Sequence, residues 1–145
     1  MHRLCLLLLP LLGLALARTE YGANVQGTLY CRNARRGQTA KVILFDKDTA
    51  RSNDIMAEKI VTFNSRGNAD FSLSGKASDP IGKVEAVLQV IHKCANPTAK
   101  CYRLNNFPVP PRYVKAVKKG RPQVYALSPA LDAKRPGEKK YCKNF

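Results

Sequence analysis

The punctuation of this chain constrains it most. Short apolar runs recur along the sequence, each closed by Gly, Pro, Asn or Asp. A helix needs ten or more residues with apolar positions near a 3.6-residue period. Only residues 79–88 and 129–135 approach that pattern, and only as short turns of helix. The strand-like runs are residues 25–31, 41–46, 57–63, 69–73, 83–92, 103–109 and 124–127. Ser74-Gly75 stops the fourth, and Pro108, Pro110 and Pro111 close the sixth. Such spacing predicts an all-β sandwich of about seven to eight strands.

The first residues read as an address. Met1–Arg3 is positive, residues 4–16 are almost wholly apolar, and Ala15-Leu16-Ala17 offers small residues where a signal peptidase reads. This layout predicts a secretory signal over 1–17 and a domain over 18–145, with a polar tail from about 133 to 145. The apolar run falls short of the ~20 residues of a spanning helix, and no later run approaches that length, so no transmembrane span is expected.

Setting the leader aside leaves four of five cysteines: Cys31, Cys94, Cys101 and Cys142. An even count in an exported chain predicts two disulfides, and no pair has the C-x₂₋₄-C interval of a zinc ribbon. Four cysteines allow three connectivities. The short interval between Cys94 and Cys101 favours that pair, with Cys31–Cys142 as its complement.

Positive charge concentrates late. The chain carries 25 basic and 10 acidic residues, and residues 101–145 hold 11 of the first and 2 of the second. Arg112, Lys115, Lys118, Lys119 and Arg121 form one group; Lys134, Arg135, Lys139, Lys140 and Lys143 form another. Exported basic surfaces meet anionic lipid, sulfated glycan or acidic protein. Four or five cations reaching an anionic membrane together, at ~1 kcal/mol each, suffice for adsorption. The first group is therefore the candidate binding surface. The alternative is a charged face kept for solubility. Nucleic acid is not expected, since no reading motif and no interleaved aromatics are present.

Catalytic parts are scarce. His92 is the one histidine beyond the leader, and at a strand end it reads as structural. No Ser sits in a nucleophile elbow. Asp46, Asp48 and Asp54 are the densest acidic cluster, but an EF-hand counted from Asp46 would need Gly and Glu where Arg51 and Ala57 stand. A looser calcium loop competes with carboxylates that cap turns. No catalytic residue, metal or cofactor is assigned.

Seven segments in order then resemble the nematode transthyretin-like secreted family: Gly27-Thr28-Leu29-Tyr30-Cys31, Val42-Ile43-Leu44-Phe45-Asp46-Lys47-Asp48-Thr49, Asn53-Asp54-Ile55-Met56-Ala57-Glu58, Phe71-Ser72-Leu73-Ser74-Gly75, Leu88-Gln89-Val90-Ile91-His92-Lys93-Cys94, Pro108-Val109-Pro110-Pro111-Arg112-Tyr113-Val114 after Cys101, and Pro136-Gly137-Glu138-Lys139-Lys140-Tyr141-Cys142. Departures add positive charge: residues 32–38 replace a short Gly-Lys-Pro turn, Lys93 stands where the family has an acid, and residues 76–83 lack its Thr-Glu-rich stretch. The resemblance implies an exported, prealbumin-like (immunoglobulin-like) sandwich with two disulfides and a non-enzymatic binding role. Bridging phosphatidylserine membranes to a receptor is one role associated with the family; acting as a parasite effector on a host protein is another. The related hydroxyisourate hydrolases use several histidines and a terminal Tyr-Arg-Gly-Ser, whereas this chain ends Tyr-Cys-Lys-Asn-Phe, so that activity is not carried over.

Overall fold

The computed structural model describes residues 18–48, 53–80 and 82–145. The secretory signal expected over 1–17 falls on residues outside the described ones. Among the described residues there are nine strands: β1 (Thr19–Tyr30), β2 (Thr39–Asp46), β3 (Asp54–Thr62), β4 (Asn68–Asp79), β5 (Ala86–His92), β6 (Tyr102–Pro108), β7 (Val114–Ala116), β8 (Val124–Ala126) and β9 (Lys139–Tyr141). They form two sheets. One has the order β4-β1-β7, with β8 pairing in parallel directly with β1; the other has the order β3-β2-β5-β6-β9.

Alternation of side chains builds the core between the sheets. Along β4, Ala69, Phe71 and Leu73 are buried while Asp70, Ser72 and Ser74 are exposed, the period-two pattern of a strand with one wet face. Leu29, Leu44, Leu88 and Val90 are fully buried in the shared core, each side chain contributing roughly 2 kcal/mol by its burial. Strand β5 is covered on both faces: Ala86, Leu88 and Val90 join the main core, and Val87 and Ile91 are buried outside it. That double burial explains why residues 83–92 are the longest apolar stretch after residue 17.

Neither segment considered for helix is one. Asp79 ends β4 and residues 86–88 begin β5, and residues 129–135 run as irregular chain. The only helical turns among the described residues are two 3-10 turns, Pro111–Tyr113 and Val117–Lys119. Several strands also outrun their apolar runs. β1 begins six residues before Val25, and β4 passes straight through Ser74-Gly75. Here Gly75 lets β4 approach β3, since a Cβ would collide with the Met56 backbone. Pairing to a long neighbour extends both strands, because each β1 residue from Thr19 to Tyr30 has a partner on β4.

The stretch 133–145 is structured. β9 pairs with β6 as Tyr102↔Tyr141, Arg103↔Lys140 and Leu104↔Lys139. This overturns the favoured cysteine pairing: the disulfides are Cys31–Cys94 and Cys101–Cys142. Cys101 and Cys142 stand one position beyond the Tyr102↔Tyr141 pair, so the short strand β9 brings them together. Cys94 is fully buried and follows β5 into the interior, where it meets buried Cys31 at the end of β1.

Candidate functional site

At the end of the sandwich where β1, β3 and β5 begin and β2, β4 and β6 finish lies a cleft of about 1270 Å³. Its apolar floor includes Phe45, Val84, Val87, Val109 and Val114. Five lysines line it: Lys47, Lys83, Lys115, Lys119 and Lys139. Two carboxylates, Asp48 and Glu85, share the wall. The result is an apolar trough with an excess of positive charge around it.

The sequence elements that place these lysines differ in kind. Lys47 is the first residue after β2, and its N–H donates to the Glu85 carbonyl at 2.9 Å, tying the β2 exit to the approach of β5. Lys115 sits at the middle of β7, paired with Gly22. Lys119 ends the 3-10 turn Val117–Lys119, and Gly120 follows with φ +106°. In that left-handed region Gly avoids the Cβ penalty, and the chain folds back beside the Lys115 amine. Lys139 opens β9.

Of the five candidate cations, Lys115 and Lys119 line the cleft, while Arg112, Lys118 and Arg121 do not. Arg112 stacks on Tyr113, its guanidinium carbon 5.0 Å from the ring centroid, and Tyr113 leans on Tyr125 at 5.0 Å. Lys118 and Arg121 are exposed. Sequence reasoning missed Lys47 and Lys83 as site residues, and it assigns Lys139 to the other basic group. They belong to separate segments that only the fold brings to one end, and a Lys beside a strand terminus carries no motif.

Beneath the cleft, Asp46 is almost fully buried and its Oδ1 accepts the Glu85 N–H at 2.8 Å. Burial raises its pKa above the usual carboxylate value, helped by the nearby charges of Asp48, Asp79 and Asp54 and opposed by the Glu85 hydrogen bond. Carboxylate oxygens of Asp46, Asp48 and Asp79 lie within 4.8 Å of one another. The fold thus replaces Asp54 by Asp79 in the grouping read from the sequence.

At the opposite end, a polar network pins the C-terminal segment. Arg103 donates from Nε to Glu138 Oε1 and from Nη2 to Oε2, both at 2.8 Å. Its remaining donors reach the carbonyls of Cys94, Leu131, Asp132 and Ala133. Asn105 donates to Glu138 at 3.0 Å and faces His92 Nε2 at 2.8 Å. The Cys94 N–H donates to His92 Nδ1 at 3.0 Å, so Nε2 carries the proton and donates to Asn105 Oδ1. Burial, and secondarily the Arg103 charge, lowers the His92 pKa, although its bond to Asn105 opposes the shift. His92 is a neutral, fully enclosed strut with both nitrogens engaged, which is the structural role expected of it.

Among the described residues no helix is long and apolar enough to cross a membrane. A model of the transthyretin-like family matches residues 26–110. The chain is also similar to Transthyretin-like protein 2 of Caenorhabditis elegans, 26% identical over 131 residues that cover 89% of this chain and 86% of that protein. These likenesses point to binding more than to catalysis.

Proposed function

Because this chain belongs to the transthyretin-like family, we propose that it is an exported binding protein that holds anionic ligands, phosphatidylserine-containing membranes first among them, at its lysine-lined cleft. One observation carries the reading: Lys115 and Lys119 converge with Lys47, Lys83 and Lys139 over an apolar floor. Anionic head groups would meet the amines while acyl chain edges meet Phe45, Val87 and Val114. Arg112, Lys118 and Arg121 would add attraction from beside the cleft. Export is supported by the pairing of Cys31, Cys94, Cys101 and Cys142 in two disulfides, which persist in oxidising compartments.

The test is co-sedimentation with vesicles of phosphatidylcholine alone or with phosphatidylserine, at two salt concentrations. Binding is expected only with phosphatidylserine and weaker at higher salt, since exposed charges are screened beyond ~8 Å at physiological ionic strength. Reversing Lys47, Lys115 and Lys119 to Glu is expected to cost at least ~100-fold, at about 1 kcal/mol for each cation lost. Equal binding by that variant would overturn the assignment.

Docking on a receptor or host protein is the second reading. It is favoured by Ile55 and Ile60 on β3, which are 60% and 52% exposed. A salt-insensitive, stoichiometric partner lost in the variant Ile55→Ser/Ile60→Ser would support it.

A further inference from the structure

The end of the sandwich opposite the cleft carries its own cationic surface. Two turns meet there: residues 32–38 between β1 and β2, and residues 63–67 between β3 and β4. Together they present Arg32, Arg35, Arg36 and Arg66, all exposed. Backbone hydrogen bonds stitch the turns to each other. Cys31 N–H donates to the Gly67 carbonyl at 2.8 Å, Phe63 N–H to Gln38 at 2.8 Å, and Gly37 N–H to Phe63 at 3.3 Å. Within the turns, Gln38 N–H donates to the Arg35 carbonyl at 2.9 Å, and Arg66 N–H donates to Asn64 Oδ1 at 2.9 Å. Gly67 is required at the seam, because a Cβ would collide with the Cys31 carbonyl, and the Cys31–Cys94 disulfide anchors the floor. The backbone that carries these arginines is therefore preorganised.

Their charge is little opposed. Two carboxylates stand near these turns, Asp70, which accepts from Thr28 Oγ1 at 2.6 Å, and Asp132, which accepts the Arg32 N–H at 3.0 Å, so two acids face four guanidinium groups. None of the four guanidinium groups takes part in the ion pairs found among the described residues. The turns expose no large apolar side chain that would enter a bilayer: Phe63 is buried, and their other residues are Asn33, Ala34, Gly37, Gln38, Asn64, Ser65 and Gly67. Guanidinium groups bind oxyanions in a bidentate fork and are less strongly hydrated than ammonium groups.

From this we infer that the arginine end is a second anion site, whose ligand is a sulfated polysaccharide that runs across both turns. It is independent of the lysine cleft. β1 joins the two ends with twelve residues, so they stand roughly 35–40 Å apart at ~3.3 Å per residue, several screening lengths at physiological salt. The inference rests on export but not on the cleft's ligand. A protein holding a sulfated matrix at one end and an anionic membrane at the other would be a bridge.

Heparin-affinity chromatography of the full chain tests it. Arg35→Glu/Arg36→Glu/Arg66→Glu and Lys47→Glu/Lys115→Glu/Lys119→Glu change net charge equally, so both are expected to shift alike on a plain sulfopropyl resin. On heparin the arginine variant is expected to elute at clearly lower salt than the lysine variant. It is also expected to keep its binding to phosphatidylserine vesicles. The milder Arg35→Gln/Arg36→Gln/Arg66→Gln, whose fold is checked by circular dichroism, is expected to reduce the log–log salt slope of heparin affinity by about three, near one per cation lost. The inference is overturned if the arginine variant elutes from heparin with or after the lysine variant. Loss of vesicle binding in the arginine variant in place of heparin binding overturns it too, since that end would then be a membrane surface.

Discussion

Glu138→Gln removes the carboxylate that holds the C-terminal segment to β6. In the folded chain the Arg103 guanidinium, with help from Asn105, lowers the Glu138 pKa from 4.5 to about 2, against the opposing effect of burial. The sign follows from the depressed value. Above pH 4.5 both states are ionised and the stabilisation is fully present; as pH falls towards 2 the unfolded chain takes up the proton first and the contribution is lost. At about 1.4 kcal/mol per tenfold change, that interval amounts to on the order of 3 kcal/mol. Little of it is lost to solvent, because the Glu138 and Arg103 side chains are only 9% and 20% exposed. The pair also leaves Arg103 without a counter-charge once Glu138 is neutralised, which makes this loss larger than that of a surface ion pair. The assay is urea unfolding at pH 7, 4 and 2.5, followed by far-UV circular dichroism because Trp is absent. Wild type is expected to exceed Glu138→Gln by about 3 kcal/mol at pH 7, and the gap is expected to shrink as pH approaches 2. A gap independent of pH, or one below ~1 kcal/mol at pH 7, would refute the pairing as a source of stability.

Asp46 carries the opposite sign. Its raised folded pKa makes the ionised form destabilising at neutral pH, so Asp46→Asn, which keeps an acceptor for the Glu85 N–H, is expected to raise Tm at pH 7. That advantage should shrink as the pH falls below the folded pKa and be gone below the ordinary value of 3.8, where both states are protonated; a lower Tm for the variant at pH 7 would contradict it. Cys101→Ser/Cys142→Ser opens a crosslink of sequence separation 41 and is expected to cost about 4 kcal/mol in denaturant unfolding, by loop-closure entropy. Loss below ~1 kcal/mol would show that β9 and the Glu138 network hold the segment unaided. Gly27→Ala places a Cβ on the Leu127 carbonyl, where the strap beyond β8 runs against β1. It should destabilise by roughly 1–3 kcal/mol, read as a drop in Tm, and an unchanged Tm would mean that the strap yields freely.

Fold class was legible in the residues because it depends on local pattern. Phe71 and Leu73 alternating with Asp70 and Ser72 can bury only one face of a strand, and the Asn64–Asn68 stretch has turn chemistry whatever surrounds it. Leu88, Val90 and their neighbours on β5 read as a strand by apolarity alone, and its central place, covered on both faces, came from the fold. His92 could be read as a strut, since no catalytic partner accompanied it in the sequence. By contrast, β7 and β9 have three residues each and no apolar period, so they exist only because β1 and β6 offer unpaired edges.

Residue order was enough for an all-β sandwich, for two crosslinks among the four cysteines after residue 17, and for an excess of late positive charge. Each is a property of composition or of neighbours in the chain. Tertiary structure alone decided which cysteines join, because β9 places Cys142 beside Cys101 and leaves Cys94 to Cys31. It alone divided the cations between a lysine cleft and an arginine end, since Lys47, Lys83, Lys115 and Lys139 come from four separate segments. Cations from distant segments act together only when folding brings their charges within a screening length, and one-dimensional spacing does not record that distance.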